Sequence, residues 1–156
     1  MSHTVHIYTD GAASGNPGPG GYGAVMLFGP HRKEISEGYR LTTNNRMELL
    51  AVIKAFKLLK KNNLEVHLFS DSKYVIDAFL KNWISNWVIK DFKKVKNSDL
   101  WRELLPLVNK QRVHFFWVKG HSTNIENNRC DELAVAAYQN KNELGVDEGY
   151  ESGLYN

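Results

Sequence analysis

Short β-branched and aromatic runs alternate with apolar patterns of helical period along the chain. Residues 5–10, which end in Tyr8-Thr9-Asp10, predict a half-buried strand with a carboxylate at its carboxyl end. Residues 24–29 and 33–41 predict two more strands. The short connections between these three strands favour an antiparallel meander.

A helix is predicted from Asn44 or Asn45, either of which can be its N-cap, to about Lys61. Residues 64–71 form a further strand, and because a helix precedes it, we expect it to run parallel to strand one. The remaining predicted elements are a helix over 72–80, a helix from 98 that Pro106 kinks or ends, a buried strand over 112–118, and a helix over 129–138 capped by Asn127 or Asn128. The fold class is therefore α/β, with a five-stranded mixed sheet whose strands 4 and 5 are parallel to strand 1 and which helices flank.

The glycine-rich residues 11–23 contain the spacing G-x-G-x-x-G at Gly18, Gly20 and Gly23. That dinucleotide-binding pattern requires a helix to begin at the glycines, whereas the interspersed prolines favour an extended turn. We interpret the stretch as a tight connection between two strands. Asn16 and the neighbouring amides remain candidates for contact with a phosphate.

Composition indicates one globular domain over residues 1–156, with a weakly ordered tail over about 141–156. Lys and Arg total 20 and Asp and Glu 17, so the net charge of +3 permits an anionic partner without requiring one. The single cysteine, Cys130, excludes an intrachain disulfide and a cysteine zinc site, and it suits a reducing cytoplasm. We find neither a signal peptide nor an apolar run of membrane-spanning length, and expect a cytoplasmic protein that does not bind membranes.

Four acidic residues are each open to a local explanation. Asp10 suits a turn, Glu48 a capping box with Asn45, Asp71 an N-cap, and Asp131 a favourable position in the first turn of a helix. The topology nevertheless places all four at one end of one sheet. We call Asp10, Glu48, Asp71 and Asp131 the four-carboxylate cluster.

Like charges 4 Å apart repel by ~1 kcal/mol in water and ~4 kcal/mol at an effective dielectric constant of about 20, so such a cluster persists when a cation occupies it. Oxygen ligands without cysteine favour Mg²⁺, with Mn²⁺ as a possible substitute. Two such ions roughly 4 Å apart support hydrolysis of a phosphodiester. His121 follows a predicted strand at the same end of the sheet.

Residues 81–97 place Trp83 and Trp87 at helical i, i+4 spacing among lysines. Amines and aromatic rings suit a nucleic-acid backbone. The alternative is that at least one tryptophan is a core anchor and that the lysines form a solvated face. The lysines concerned are Lys81, Lys90, Lys93, Lys94 and Lys96.

Six motifs occur in order along the chain: Tyr8-Thr9-Asp10-Gly11, Gly15-Asn16-Pro17-Gly18, Thr42-Thr43-Asn44-Asn45-Arg46-Met47-Glu48, Ser70-Asp71-Ser72, Trp117-Val118-Lys119-Gly120-His121 and Asn128-Arg129-Cys130-Asp131-Glu132. Together they resemble bacterial type 1 ribonuclease H over roughly residues 5–140. The resemblance implies a ribonuclease H-like fold. It also implies endonucleolytic cleavage of the RNA strand of RNA/DNA hybrids, leaving 3′-hydroxyl and 5′-phosphate ends, by a protein that we expect to be a monomer.

By that resemblance the four-carboxylate cluster holds the metal ions and His121 assists proton transfer or product release. The implied contacts to the hybrid are Asn16, Thr43, Asn44 and Asn45. The pattern of lysines and aromatic rings in residues 81–97, the basic segment, adds Trp83, Trp87, Lys93 and Lys94 as candidate contacts. Lys73 stands where relatives often carry a substrate-contacting glutamine, and the basic stretch after Trp87, residues 88–95, is shorter than in well-known bacterial members. A DNA-cutting nuclease of the same fold and a hybrid-binding module without catalysis are the competing hypotheses.

Overall fold

The structure, a computed structural model, describes residues 3–120 and 123–156. Within these residues the strands are β1 (Thr4–Ala13), β2 (Gly18–Phe28), β3 (His31–Thr42), β4 (Glu65–Ser70) and β5 (Arg112–Trp117). The helices in the same residues are α1 (Asn44–Lys57), α2 (Lys73–Leu80), α3 (Trp83–Ile89), α4 (Ser98–Asn109), α5 (Ile125–Gln139) and the short α6 (Glu148–Glu151). No helix in this part of the chain is both long and apolar enough to cross a bilayer.

The strand order β3-β2-β1-β4-β5 confirms the predicted mixed sheet. β1, β2 and β3 form the antiparallel meander, and β4 and β5 run parallel to β1. The parallel pairing of β1 with β4 ends at Thr9 and Ser70, so Asp10 and Asp71 follow the last pair side by side. β1 continues to Ala13, beyond its predicted end at Asp10, because its other edge still pairs with β2.

The two faces of the sheet are covered by different helices. On one face, α1 packs on β1 and β2, and α4 packs on α1; their apolar side chains join those of β4 in one core that includes Ile7, Leu68 and Trp101. On the other face, α5 lies over β1, β2 and β3. The same face of β4 and β5 is therefore not covered by α5.

Most of the glycine-rich segment lies in strands, because β1 continues to Ala13 and β2 begins at Gly18, and the predicted tight connection is limited to residues 14–17. A Cβ atom on Gly23 would lie 2.7 Å from the Leu133 Cβ of α5, and one on Gly21 would lie 2.5 Å from the Ala134 carbonyl oxygen. Both distances are too short for real atoms. Glycine is thus required in β2 because the backbone of α5 packs directly against it.

Three helix starts differ from prediction. Thr43, not Asn44 or Asn45, is the N-cap of α1, and its hydroxyl accepts a hydrogen bond from the Arg46 amide. Ser72 rather than Asp71 caps α2. α5 begins at Ile125, four residues before the predicted start, because the side chain of Asn124 caps it.

Two other predictions from local sequence are corrected by the structure. Pro106 does not end α4, which continues to Asn109, since its buried face still packs Leu104 and Val108 into the core. β5 is an exposed edge strand rather than a buried one, with Phe116 41% and Trp117 45% exposed. The cause is its position at the edge of the sheet, beyond the reach of α5.

The segment after Asn140, predicted as a weakly ordered tail, contains a 3-10 turn over Lys141–Glu143 and helix α6. Asp147 is buried between them and accepts hydrogen bonds from the guanidinium of Arg46 and the hydroxyl of Thr42. The tail differs from prediction because a buried arginine needs a counter-charge, which this segment supplies.

Candidate active site

One backbone amide links two members of the four-carboxylate cluster. The Gly11 N–H donates to Asp10 Oδ1 at 2.9 Å and to Glu48 Oε1 at 2.6 Å. Asp10 is 5% exposed and Glu48 7% exposed, so both carboxylates are buried. Glu48 therefore bonds to β1 rather than completing the capping box that its spacing predicts.

Gly11 permits this approach because it has no side chain. A Cβ atom there would overlap the backbone of Met47 and Glu48 in α1. Helix α1 consequently begins in direct contact with β1, and that contact sets the depth of Glu48 in the site.

Asp71 and Asp131 complete the cluster from two other elements. Asp10, Glu48 and Asp71 each offer a carboxylate oxygen within 4.8 Å of those of the other two. Asp131, half-buried on α5, lines the same open cavity of about 440 Å³. The structure thus brings together all four carboxylates that the sequence predicts.

Burial and crowding change the protonation of the cluster. Burial, and then the charges of Asp71 and Asp131, raise the pKa of Asp10 to about 7, against the effect of its hydrogen bonds with Glu48 and Gly11. Burial and then the negative charge of Asp10 hold the pKa of Glu48 well above its usual range. Without a bound cation, the cluster therefore retains protons at pH values where isolated carboxylates have lost theirs.

The donor set of the cluster fits a hard divalent cation. Glu48 Oε2 is buried and accepts no hydrogen bond from the described residues. A buried oxygen without a donor is costly unless a cation or water contacts it. The neighbouring donors are carboxylate oxygens, which are the ligands that Mg²⁺ and Mn²⁺ prefer.

One of the polar side chains proposed to contact the hybrid, Asn44, lines this cavity. Asn44 accepts a hydrogen bond from the Ala13 amide at 2.6 Å, and the Asn44 amide donates to Asn16 Oδ1 at 3.1 Å. Asn16, Asn44 and Asn45 are exposed, and Thr43 is half-buried at the helix cap. The start of α1 and the β1–β2 connection therefore form one hydrogen-bonded rim.

Trp117, which sequence reasoning left out of the candidate site, supports Asp71. Its indole Nε1 donates to the Asp71 carbonyl oxygen at 3.0 Å, and Lys73 Nζ lies 4.8 Å from its ring centroid. Both side chains are exposed beside the cluster. The sequence feature that could have indicated Trp117 is its position at the end of a predicted strand, next to a polar loop.

In the basic segment, one tryptophan is a core anchor and the other is exposed, so each of the two predicted alternatives applies to one of them. Trp87 packs on the core, 5.0 Å from the ring centroid of Trp101, whereas Trp83 is 39% exposed with Lys81 Nζ 5.8 Å away. Lys93 and Lys94 are exposed. His121 lies outside the described residues, so its predicted position has no structural counterpart here.

Sequence comparison identifies relatives over nearly the whole chain. The RNase H family matches residues 2–139. A ribonuclease H of Trichodesmium erythraeum is 53% identical over 152 residues, which cover 94% of this chain and 96% of that protein. A ribonuclease HI of Synechocystis is 51% identical over 154 residues, with 95% of each chain covered.

Structural comparison finds the same fold in solved proteins. The crystal structure of LC9-RNase H1, a type 1 RNase H with the type 2 active-site motif, gives a TM-score of 0.81 at 30% identity, covering 100% of this chain and 82% of that one. LC11-RNase H1 in complex with an RNA/DNA hybrid gives 0.67 at 25% identity, covering 89% of this chain and 99% of that one.

Proposed function

The chain belongs to the ribonuclease H family, whose members cut the RNA strand of RNA/DNA hybrids, and we propose that its four-carboxylate cluster carries out this hydrolysis. The observation that carries the proposal is the buried pair of Asp10 and Glu48 on the Gly11 amide, with Asp71 and Asp131 beside it. The products are a 3′-hydroxyl and a 5′-phosphate. A related enzyme has been solved with an RNA/DNA hybrid bound, which supports the same substrate here.

The cluster holds two Mg²⁺ ions in this proposal, with Mn²⁺ as a substitute. When bound, such ions would supply Lewis-acid stabilisation of negative charge at the reacting phosphate and would lower the pKa of an attacking water. Asp10, Glu48 and Asp71 hold them through carboxylate oxygens, and Asp131 closes the cluster from α5. Because the Gly11 amide holds Glu48 Oε1, the other, buried oxygen Oε2 would be available as a ligand of a metal ion.

The chain's other polar groups orient the hybrid. Asn16 and Thr43 contact a DNA phosphate, while Asn44 and Asn45 contact the hybrid beside the cluster. The RNA 2′-hydroxyl, which distinguishes the two strands, is recognised by backbone and side-chain groups next to Asp10 and Glu48. Lys73 offers an exposed amine beside the cluster. Farther along the duplex, the exposed amines of Lys93 and Lys94 and the ring of Trp83 contact the hybrid, and Trp87 supports them from the core.

His121 assists proton transfer or product release. General acid–base assistance is typically worth ~10²–10⁴ in rate, so His121→Ala retains measurable activity with little change in KM. A large rise in KM at constant kcat would instead make His121 a binding residue.

We also propose that the protein works as a cytoplasmic monomer, one domain over residues 1–156, without a membrane partner. The free, buried Cys130 supports a reducing compartment. Sedimentation of the purified protein at working concentration distinguishes a monomer from a dimer.

The decisive experiment incubates the protein with labelled RNA/DNA hybrid, double-stranded RNA and duplex DNA, with and without Mg²⁺. We expect Mg²⁺-dependent cleavage of the RNA strand of the hybrid alone. Asp10→Asn and Asp131→Asn should lose several orders of magnitude in rate, whereas Glu132→Gln, an exposed neighbour on α5, retains wild-type activity.

Three results would contradict this assignment. Cleavage of duplex DNA would identify a DNA nuclease of the same fold. Hybrid binding without cleavage would identify a binding module. A tenth or more of wild-type activity in Asp10→Asn, with native-like circular dichroism, would remove Asp10 from the metal ligands.

A further inference from the structure

Three neighbouring parallel strands carry the same four-residue pattern of valine, histidine, an apolar residue and an aromatic residue. The three copies are Val5-His6-Ile7-Tyr8, Val66-His67-Leu68-Phe69 and Val113-His114-Phe115-Phe116. The strands pair in register, with His6 opposite His67 and His67 opposite His114. The three histidines therefore form one row across the sheet.

The row lies on the sheet face shared with α5, and His67 and His114 lie on β4 and β5, which α5 does not cover. The His67 ring centroid is 5.3 Å from that of His6 and 5.2 Å from that of His114. The side chains of His67 and His114 are 29% and 55% exposed, so a solute ion can reach them.

Glu65 adds a carboxylate to two of these imidazoles. It precedes His67 by two residues on β4 and so projects from the same face. Its Oε1 lies 2.7 Å from His114 Nε2 and 3.7 Å from His67 Nε2. One donor atom from each of the three residues lies within 4.8 Å of the other two.

Arg112 fixes the orientation of that carboxylate. Its Nη1 donates to Glu65 Oε2 at 2.9 Å, which leaves Oε1 directed at the two histidines. The arginine charge opposes a cation, while its hydrogen bond orders the carboxylate ligand, as second-shell partners do in metal sites.

We propose that Glu65, His67 and His114 form a second metal site, which binds a divalent transition metal of the zinc class. Two neutral imidazoles and one carboxylate, with a fourth position left to water, are a common ligand set for Zn²⁺. Zinc bond lengths of about 2.0–2.2 Å require donor atoms roughly 3.3 Å apart. Small side-chain rotations bring these three donors, held on a rigid sheet, to that spacing.

This site is distinct from the four-carboxylate cluster in position and chemistry. Glu65 begins β4 and Asp71 follows its end, which separates them by about 20 Å at the rise of a strand. Nitrogen donors select Zn²⁺, Ni²⁺ or Cu²⁺ over Mg²⁺, whereas the cluster offers oxygen donors. The two sites can therefore be loaded separately.

Calorimetric titration of the full chain with Zn²⁺, in a large excess of Mg²⁺ that occupies the cluster, tests the proposal. We expect one Zn²⁺ per chain in the wild type and in Asp10→Asn. His67→Gln, His114→Gln and Glu65→Gln should each weaken binding at least tenfold, because each removes a ligand. His31→Gln, which changes an exposed histidine of β3, is the matched control and should bind as the wild type does.

Two spectroscopic measurements on the wild-type protein test the proposal even if one of the variants fails to fold. Co²⁺ in place of Zn²⁺ should give the visible absorption of a four-coordinate nitrogen-containing site. In long-range ¹H–¹⁵N spectra, Zn²⁺ should shift Nε2 of His67 and His114 but leave His31 unchanged. Absence of saturable Zn²⁺ binding under excess Mg²⁺, or imidazole signals that do not shift, would show that the three residues form only a hydrogen-bonded cluster.

Discussion

Asp147 accepts two hydrogen bonds from the guanidinium of Arg46, at 2.8 and 2.9 Å, and both side chains are buried. Arg46 lies in the first turn of α1, two residues before Glu48. Asp99 of α4 accepts two more hydrogen bonds from the same guanidinium. The C-terminal segment is thereby joined to the helix that positions a proposed metal ligand.

Asp147→Ala should destabilise the protein by about 3–5 kcal/mol, because it leaves a buried arginine charge only partly compensated. Urea denaturation at pH 7 measures the change. Glu151→Gln is the matched control, since it breaks a solvent-exposed ion pair with Arg40 and should leave the unfolding midpoint nearly unchanged. Equal effects of the two substitutions would show that Asp147 is not a structural anchor.

The ion pair of Asp147 with Arg46 also predicts how the stability of the protein depends on pH. Burial raises the pKa of Asp147, but hydrogen bonds from Arg46 and Thr42 and the charge of Arg46 outweigh burial and hold the pKa below its usual range. Its contribution to stability is therefore present above the unfolded-state pKa, and is lost as pH falls through the lower folded-state value. The unfolding midpoints of wild type and Asp147→Asn should differ at pH 7, and the difference should shrink as pH falls below the unfolded-state pKa of about 3.9. A constant difference across this range would contradict the pKa shift.

Asp10→Asn, although inactive, should melt higher than wild type in chelator at pH 7. Because burial and neighbouring charges raise the folded-state pKa of Asp10 to about 7, the empty cluster loses stability as pH rises from the unfolded-state pKa towards 7. Each kcal/mol gained in the free energy of unfolding raises Tm by about 2–4 °C for a chain of this size. Mg²⁺ should narrow the gap by binding only the folded wild type. Glu132→Gln, the control, should not melt higher than wild type. If Asp10→Asn melts at or below wild type in chelator, the Asp10 carboxylate does not destabilise the metal-free protein and the prediction is wrong.

Gly11→Ala should displace α1 from β1, because the added methyl group overlaps the backbone of Met47 and Glu48. Overpacking of this kind costs about 1–3 kcal/mol, and the shift of Glu48 should lower kcat more than it raises KM. Gly145→Ala is the matched control, since its Cβ would meet the Tyr39 ring no closer than 3.5 Å. Thermal melts and steady-state kinetics of both variants check the expectation, and wild-type kcat in Gly11→Ala would contradict it.

Replacement of Lys93 and Lys94 by glutamine should flatten the dependence of log K on log salt by roughly 1–2 units, because two phosphate contacts are lost. Hybrid affinity measured across a salt series gives the slope. Lys60 and Lys61, replaced in the same way, are the matched control, because they precede β4 at the end of the sheet opposite the cluster. An unchanged slope for Lys93 and Lys94 would place both on a merely solvated face.

Sequence patterns predicted the order of strands and the meeting of the four carboxylates, because strand period and parallel crossovers are local or topological properties. They failed where tertiary packing decides. The glycines of β2 resemble a turn until α5 is placed against Gly21 and Gly23. Likewise, Asp147 looks like part of a polar tail until Arg46 is found buried beside it.

The histidine row was missed in the sequence for a different reason. The same four-residue pattern occurs in three strands, but its three copies lie far apart along the chain. Only the register of β1, β4 and β5 makes His67 and His114 neighbours. Pattern analysis within single segments does not contain that information.

The glycines of β2 also affect the order in which the elements of the chain can fold. Glycine strands lose much entropy on folding and bury little apolar surface by themselves, so the meander gains little from forming early. Its cover, α5 (Ile125–Gln139), follows the end of β3 by about eighty residues. We therefore expect the first three strands to become stable only when the last long helix packs on them, in a cooperative step dominated by non-local contacts.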